Sequence, residues 1–129
     1  MLVADIYNYA VIRVVPRVER GEFINAGIIL SCQAAKVLMA CVELDEARLL
    51  ALDASADLEV IHRHLGSFSS ICAADPSSGP IGQLPQRARF HWMTARRSSI
   101  IQTSPVHSGR CHDPATAMDH LMARMVRPL

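Results

Sequence analysis

The sequence predicts an α+β fold: an N-terminal antiparallel β-meander of about three strands, then helices, further short strands and a C-terminal helix. Three observations carry this. Before Leu44 the chain holds β-branched and apolar runs broken by turn residues; beyond it apolar residues recur at three- and four-residue steps behind aspartates; and Asp113-Pro114 sets a helix start towards the end.

The first run, Tyr7 to Val15, is apolar on both faces except at Asn8 and Arg13 and stops at Pro16, the pattern of a largely buried strand. After a charged turn from Arg17 to Glu22, in which Gly21 supplies backbone freedom, Phe23 to Cys32 gives a second strand and Lys36 to Glu43 a third. The short link Gln33-Ala34-Ala35 suits a hairpin. Gly27 weakens pairing inside the second strand unless a bulge or a close backbone approach needs it, so a bulge is expected there.

Asp45 is placed to cap a short helix ending near Leu52, and Asp57 a longer one that carries Leu58, Ile61, Leu65, Phe68 and Cys72 on one stripe before Asp75-Pro76. Pro76 to Pro85, rich in proline, glycine and serine, reads as a surface loop. Arg89 to Met93 and Ser98 to Thr103 read as short strands, with Trp92 as a core anchor. The last helix starts at Asp113-Pro114 and runs to about Val126, with Leu121 and Met125 inward.

Half of the 129 residues are hydrophobic and 19% are charged, so the chain has the size of one domain, residues 1–129, and the apolar mass for a core without disulfide or metal staples. A formal net charge of +1 gives no bulk attraction to nucleic acid or an anionic membrane. Nucleic-acid binding is further disfavoured by the scarcity of aromatic residues and the lack of a basic stripe. Cys32, Cys41, Cys72 and Cys111 are irregularly spaced and form no Cys-x-x-Cys pair, as expected of reduced, structural thiols. No apolar run is long enough for a signal peptide or a membrane span, so the cytoplasm is the expected location.

Two segments carry a resemblance. Tyr9-Ala-Val-Ile-Arg-Val-Val-Pro-Arg-Val-Glu-Arg-Gly-Glu-Phe-Ile-Asn-Ala-Gly-Ile-Ile-Leu30 and Phe90-His-Trp-Met-Thr-Ala-Arg-Arg-Ser-Ser-Ile-Ile-Gln-Thr-Ser-Pro-Val-His107, joined by Val42-Glu-Leu-Asp-Glu-Ala-Arg-Leu49, resemble domain-of-unknown-function family 3037, a group of small bacterial proteins. The resemblance implies no reaction and no catalytic residue. Genes of that family often neighbour a gene for a HipA-like kinase, which implies an accessory or regulatory role beside such a partner.

Among side chains, Arg13 with Arg17, Arg20 and Glu22 forms the densest charged group, able in principle to clamp a phosphate. The bland alternative is a polar turn after a strand, with Glu22 or Glu43 partnering Arg13. A second group, Arg97, Ser98, Gln102 and His107, has the donors for an anion or nucleotide pocket. A serine hydrolase would need a nucleophile elbow, and no Gly-x-Ser-x-Gly exists in the chain. Zinc would need bracketed ligands; His107, Cys111, His112 and His120 lack that spacing, and no metal or other cofactor is expected. His62 and His64 are expected to be solvated.

Dense polar functionality without a complete catalytic set points to a non-enzymatic protein-interaction or regulatory module, its surface made of the Arg17 to Glu22 turn and the Arg96 to His107 segment. The alternative is a small enzyme or binding protein for a phosphorylated or nucleotide-like ligand. There Arg13, Arg17, Arg20 and Arg97 would hold the anion and Glu22 or His107 would move a proton. The two readings separate on whether Arg20, Glu22, Arg97 and His107 line one pocket. Exposed strand edges in so apolar a chain also leave room for a homodimer.

Overall fold

The structure, a computed structural model, describes residues 3–129. Strand β1 (Asp5–Val14) is its axis. On one side β1 pairs with β2 (Ile24–Cys32), which pairs with β3 (Val37–Val42), giving the expected meander. On the other side the edge is shared by β4 (Ile101–Thr103), opposite Ile12 to Val14, and β5 (His107–Cys111), opposite Asp5 to Tyr9. All pairings of this five-stranded sheet are antiparallel. The polar β5 segment, His-Ser-Gly-Arg-Cys, is a strand that composition does not announce. It extends because β1 offers it a free edge to complete.

The bulge at Gly27 is present. Ile12 pairs with Gly27 and Arg13 with Asn25, so Ala26 is the extra residue, and its carbonyl accepts from Glu43 N at 2.8 Å. A Cβ on Gly27 would lie 2.5 Å from the Cys41 carbonyl oxygen, which is why only glycine fits. A second irregularity falls between β4 and β5, where Ser104, Pro105 and Val106 run opposite Ala10 and Val11.

Helices cover both faces of the sheet, which explains why β1 and β2 carry apolar residues on both sides. Helices α1 (Glu46–Leu52) and α2 (Leu58–Cys72) begin at the expected caps, Asp45 accepting from Arg48 N and Asp57 from Val60 N. Leu49, Ile61, Leu65, Phe68 and Ile71 pack with Ile12, Val14, Ile24 and Ile29 in one core. Between α2 and the next long helix lie a 3-10 turn at Pro76–Ser78 and the single turn α3 (Gly79–Gly82), local order inside the expected loop. Helix α5 (Pro114–Met125), capped by Asp113, lays Ala117, Met118, Leu121 and Met122 on the opposite face, against Tyr7, Val11, Ile28 and Leu30.

One expected strand is a helix. Arg89 to Met93 lies within α4 (Gln86–Thr94). Phe90 and Met93, one helical turn apart, enter the first core, while Arg89 reaches back to Leu84 O, Ile71 O and Cys72 O at 2.8–2.9 Å and closes the carbonyl end of α2. The helical twist therefore turns Trp92 outward. It is 42% exposed, and the core anchors are its neighbours. Among the described residues, no helix is long and apolar enough to cross a membrane.

Candidate functional site

The charged residues picked out in the sequence are dispersed. Arg17 reaches the loop between α1 and α2, with its Nε 3.4 Å from Asp53 Oδ2 and its Nη2 3.3 Å from Ser55 Oγ. Hydrogen bonds from Ser55 first, and then the Arg17 charge, hold the Asp53 carboxyl below its ordinary value. Arg20 pairs with Glu22 on the exposed turn. Glu43 pairs with Arg127 through two hydrogen bonds of 2.9 and 3.0 Å. Neither glutamate therefore serves Arg13, whose guanidinium lies 4.2 Å from the Phe23 ring centroid instead. Arg13 Nε and the Oδ1 of its cross-strand partner Asn25 are buried without a hydrogen-bond partner among the described residues.

Gln102 pairs across the sheet with Arg13, and His107 with Tyr9, so these two candidates share the α5 face with Arg13. Ser98 is exposed beyond α4. Arg97 lies on the other face, where α4 packs. Its guanidinium stacks 4.2 Å from the Trp92 ring centroid and hydrogen-bonds the Trp92 and Met93 carbonyls, closing the C-terminal end of α4. Arg20, Glu22, Arg97 and His107 thus line no common pocket. His62 and His64 are exposed, and His62 bonds Glu46 at 2.7 Å. Among the described residues no three His, Cys, Asp or Glu side chains are grouped to hold a metal ion.

A concave surface surrounds Trp92. A cleft of about 500 Å³ opens between α2 and the Pro76 to Gly82 segment, walled by Arg63, Ser67, Ser70, Ser77, Ser78 and Trp92. Trp92 also edges a smaller hollow with His64, Arg97 and Ser99, and a shallow apolar shelf with Leu84, Pro85, Arg87 and His91. Among the described residues no carboxylate lines any of the three. The floor includes Gly66, in mid-helix, where an added Cβ would meet nothing within 4 Å. A helix-interior glycine is costly, and packing does not demand this one.

The arrangement has an exposed indole with one face occupied by a guanidinium, a ring of hydroxyl donors and acceptors, and only cationic or cationisable charge. It lacks a paired acid and base, and at the nearby end of α2 burial pushes the Cys72 thiol up to about 12, with Arg89 lowering it, so that thiol is a poor nucleophile. Such a surface can stack and donate hydrogen bonds.

The family model "Protein of unknown function (DUF3037)" matches residues 9–126. The chain belongs to the DUF3037 family. No curated protein and no solved structure matches it. The family match runs from Tyr9 in β1 to Val126 just beyond α5, so the Trp92 surface of this DUF3037 chain belongs to the family's own fold. Sequence reasoning missed that surface because it weighed charge density. The available signal was Phe90 and Met93 at helical spacing, which puts Trp92 on the outer side of a helix.

Proposed function

We propose that this chain is a non-enzymatic interaction module, working in the cytoplasm, that docks an acidic segment of a protein partner on the Trp92 surface. The supporting observation is the exposed indole set among Arg63, Arg87, Arg97, His64 and His91 with no lining carboxylate. Tryptophan and arginine are the side chains that most often dominate binding energy, and a single-sign border selects partners of opposite charge. The resemblance that links such genes to a HipA-like kinase makes that kinase the first whole protein to test.

Trp92 is the single tryptophan of the chain, so its emission reports on the surface directly. A panel of acidic twelve-residue peptides, with neutral and basic peptides of matched length, is titrated while that emission is followed. Acidic peptides are expected to change it saturably, with affinity falling as salt rises, and Arg63→Gln to weaken the effect. Peptide binding to Trp92→Ala, followed by anisotropy of a labelled peptide, is expected to drop by at least about tenfold. Equal binding of neutral peptides, or an unchanged affinity in Trp92→Ala, would sink the reading.

A further inference from the structure

The two edges of the sheet are built differently. At one, β4 and β5 are short, partly polar and separated by a break that contains Pro105. At the other, β3 pairs with β2 through six consecutive residues, Val-Leu-Met-Ala-Cys-Val, with no charge, proline, glycine or register shift. Charges, prolines and bulges are the devices that keep a sheet edge from pairing with another chain, and β3 carries none of them. Its side chains are apolar on both faces and only partly covered: Leu38, Ala40 and Val42 meet the first core, Met39 and Cys41 the second.

The backbone fixes which groups β3 offers. The Glu43 amide donates to the Ala26 carbonyl at 2.8 Å, so Glu43 is turned towards β2. Residues of an antiparallel ladder alternate in this respect, which turns the N–H and C=O groups of Val42, Ala40 and Leu38 to the open side. Among the described residues no strand lies there to receive them.

A second β3, antiparallel about a two-fold axis through Ala40, matches these three residues without remainder. Ala40 meets Ala40 and Leu38 meets Val42, so every outward donor finds an acceptor. Met39 then faces Cys41 as a non-hydrogen-bonded pair, and the smallest side chain of the strand lies on the axis. Sliding the copies either way puts Met39 or Cys41 on the axis and carries Val42 or Leu38 past the end of the facing strand. The antiparallel arrangement also sets the Lys36 end of each strand beside the Glu43 end of the other, opposite charges at both ends of the seam. Lys36 is exposed and forms no ion pair among the described residues, and Glu43, although paired with Arg127, is 47% exposed.

We propose that this chain forms a two-fold dimer through β3, joining two five-stranded sheets into one continuous sheet. The dimer does not depend on what the Trp92 surface binds. An edge of six residues is smaller than a standard interface, so association in the micromolar range is expected.

Sedimentation velocity across that range should show the unmodified chain passing from monomer to dimer as concentration rises. Ala40→Pro removes an outward N–H and no bond of the β2–β3 ladder, and is expected to weaken association by at least about tenfold. Met39→Cys is expected to form a disulfide with Cys41 of the second copy under oxidised glutathione, identified by peptide mass spectrometry and lost when Cys41→Ser is added. A chain that stays monomeric throughout, or an Ala40→Pro that associates as tightly, would overturn the proposal. So would a dimer that Met39→Cys does not crosslink, since its interface would lie elsewhere. If Ala40→Pro fails to fold, the Met39→Cys crosslink decides the matter alone.

Discussion

The Val11 amide donates to Ser104 Oγ at 2.8 Å, while the Ser104 amide donates to the Val11 carbonyl at the same distance. A side chain thus completes a ladder rung where the backbone of the edge strand turns away. The same hydroxyl donates to Pro105 O at 2.9 Å, bridging the break between β4 and β5. Ser104 is 4% exposed, so Val11 has no water to fall back on. Ser104→Ala is expected to cost about 1–3 kcal/mol, the penalty for a buried amide left without a partner. Urea unfolding against the unmodified chain checks this, and a loss below about 0.5 kcal/mol would mean the rung is made another way.

Gly27 and Gly66 should respond to alanine with opposite signs. At Gly27 the methyl meets the Cys41 carbonyl at 2.5 Å inside the sheet, and a loss of about 1–3 kcal/mol is expected. At Gly66 it meets nothing, and replacing a mid-helix glycine should gain about 0.5–1 kcal/mol. Thermal melts of the two variants side by side show the contrast. A stabilised Gly66→Ala that binds acidic peptide less well would mark the glycine as kept for the cleft.

Asp53, Asp75 and Glu43 each sit below their ordinary pKa: Asp53 and Asp75 chiefly through hydrogen bonds from Ser55 and Ser77, Glu43 chiefly through Arg127. A depressed carboxylate contributes stability above the ordinary range, about pH 4, and loses it as pH falls further. The melting temperature should therefore drop below pH 4, and less steeply in Asp53→Asn. A profile that is unchanged in that variant would exclude the Asp53 contribution.

Thiol reactivity should be unequal. With its pKa raised to about 12, Cys72 holds only about one thiolate in ten thousand at pH 8. Brief iodoacetamide treatment of the folded chain, read by peptide mass spectrometry, should leave Cys72 and the buried Cys32 unmodified, whereas urea exposes all four cysteines. Native labelling of Cys72 at the rate seen in urea would contradict its burial.

Trp92 emission should be quenched more strongly by iodide than by caesium, because the indole is exposed among arginines. The difference should shrink in high salt and in Arg97→Gln. Equal quenching by the two ions would mean the surface carries no net positive field.

The meander was legible because β-branched runs and turn residues agree with the register, and all three predicted aspartate caps are occupied as expected. Two elements were not. Helix α4 has no side-chain cap, only Pro85 before it, and an arginine-aromatic string passes for a strand until tertiary contacts choose. Strand β5 owes its conformation to the open edge of β1, which no local pattern in His107 to Cys111 encodes. The site was less legible still. Arginines that look like binding groups in a string of letters are already engaged with carbonyls, carboxylates and rings of the chain itself, as Arg13, Arg17 and Arg97 are.

The rung between Val11 and Ser104 joins positions 93 residues apart. Strand β1 leaves the ribosome well before its second flank, which arrives only once β4 and β5 have been made. Until then one long edge of an apolar strand lacks its partner, the condition in which nascent chains recruit holding chaperones or pair with each other. A chain halted before Ile101 would therefore be expected to associate with such factors, and one that continues past Cys111 to leave them, so that the arrival of β4 and β5 is the moment at which this protein becomes itself.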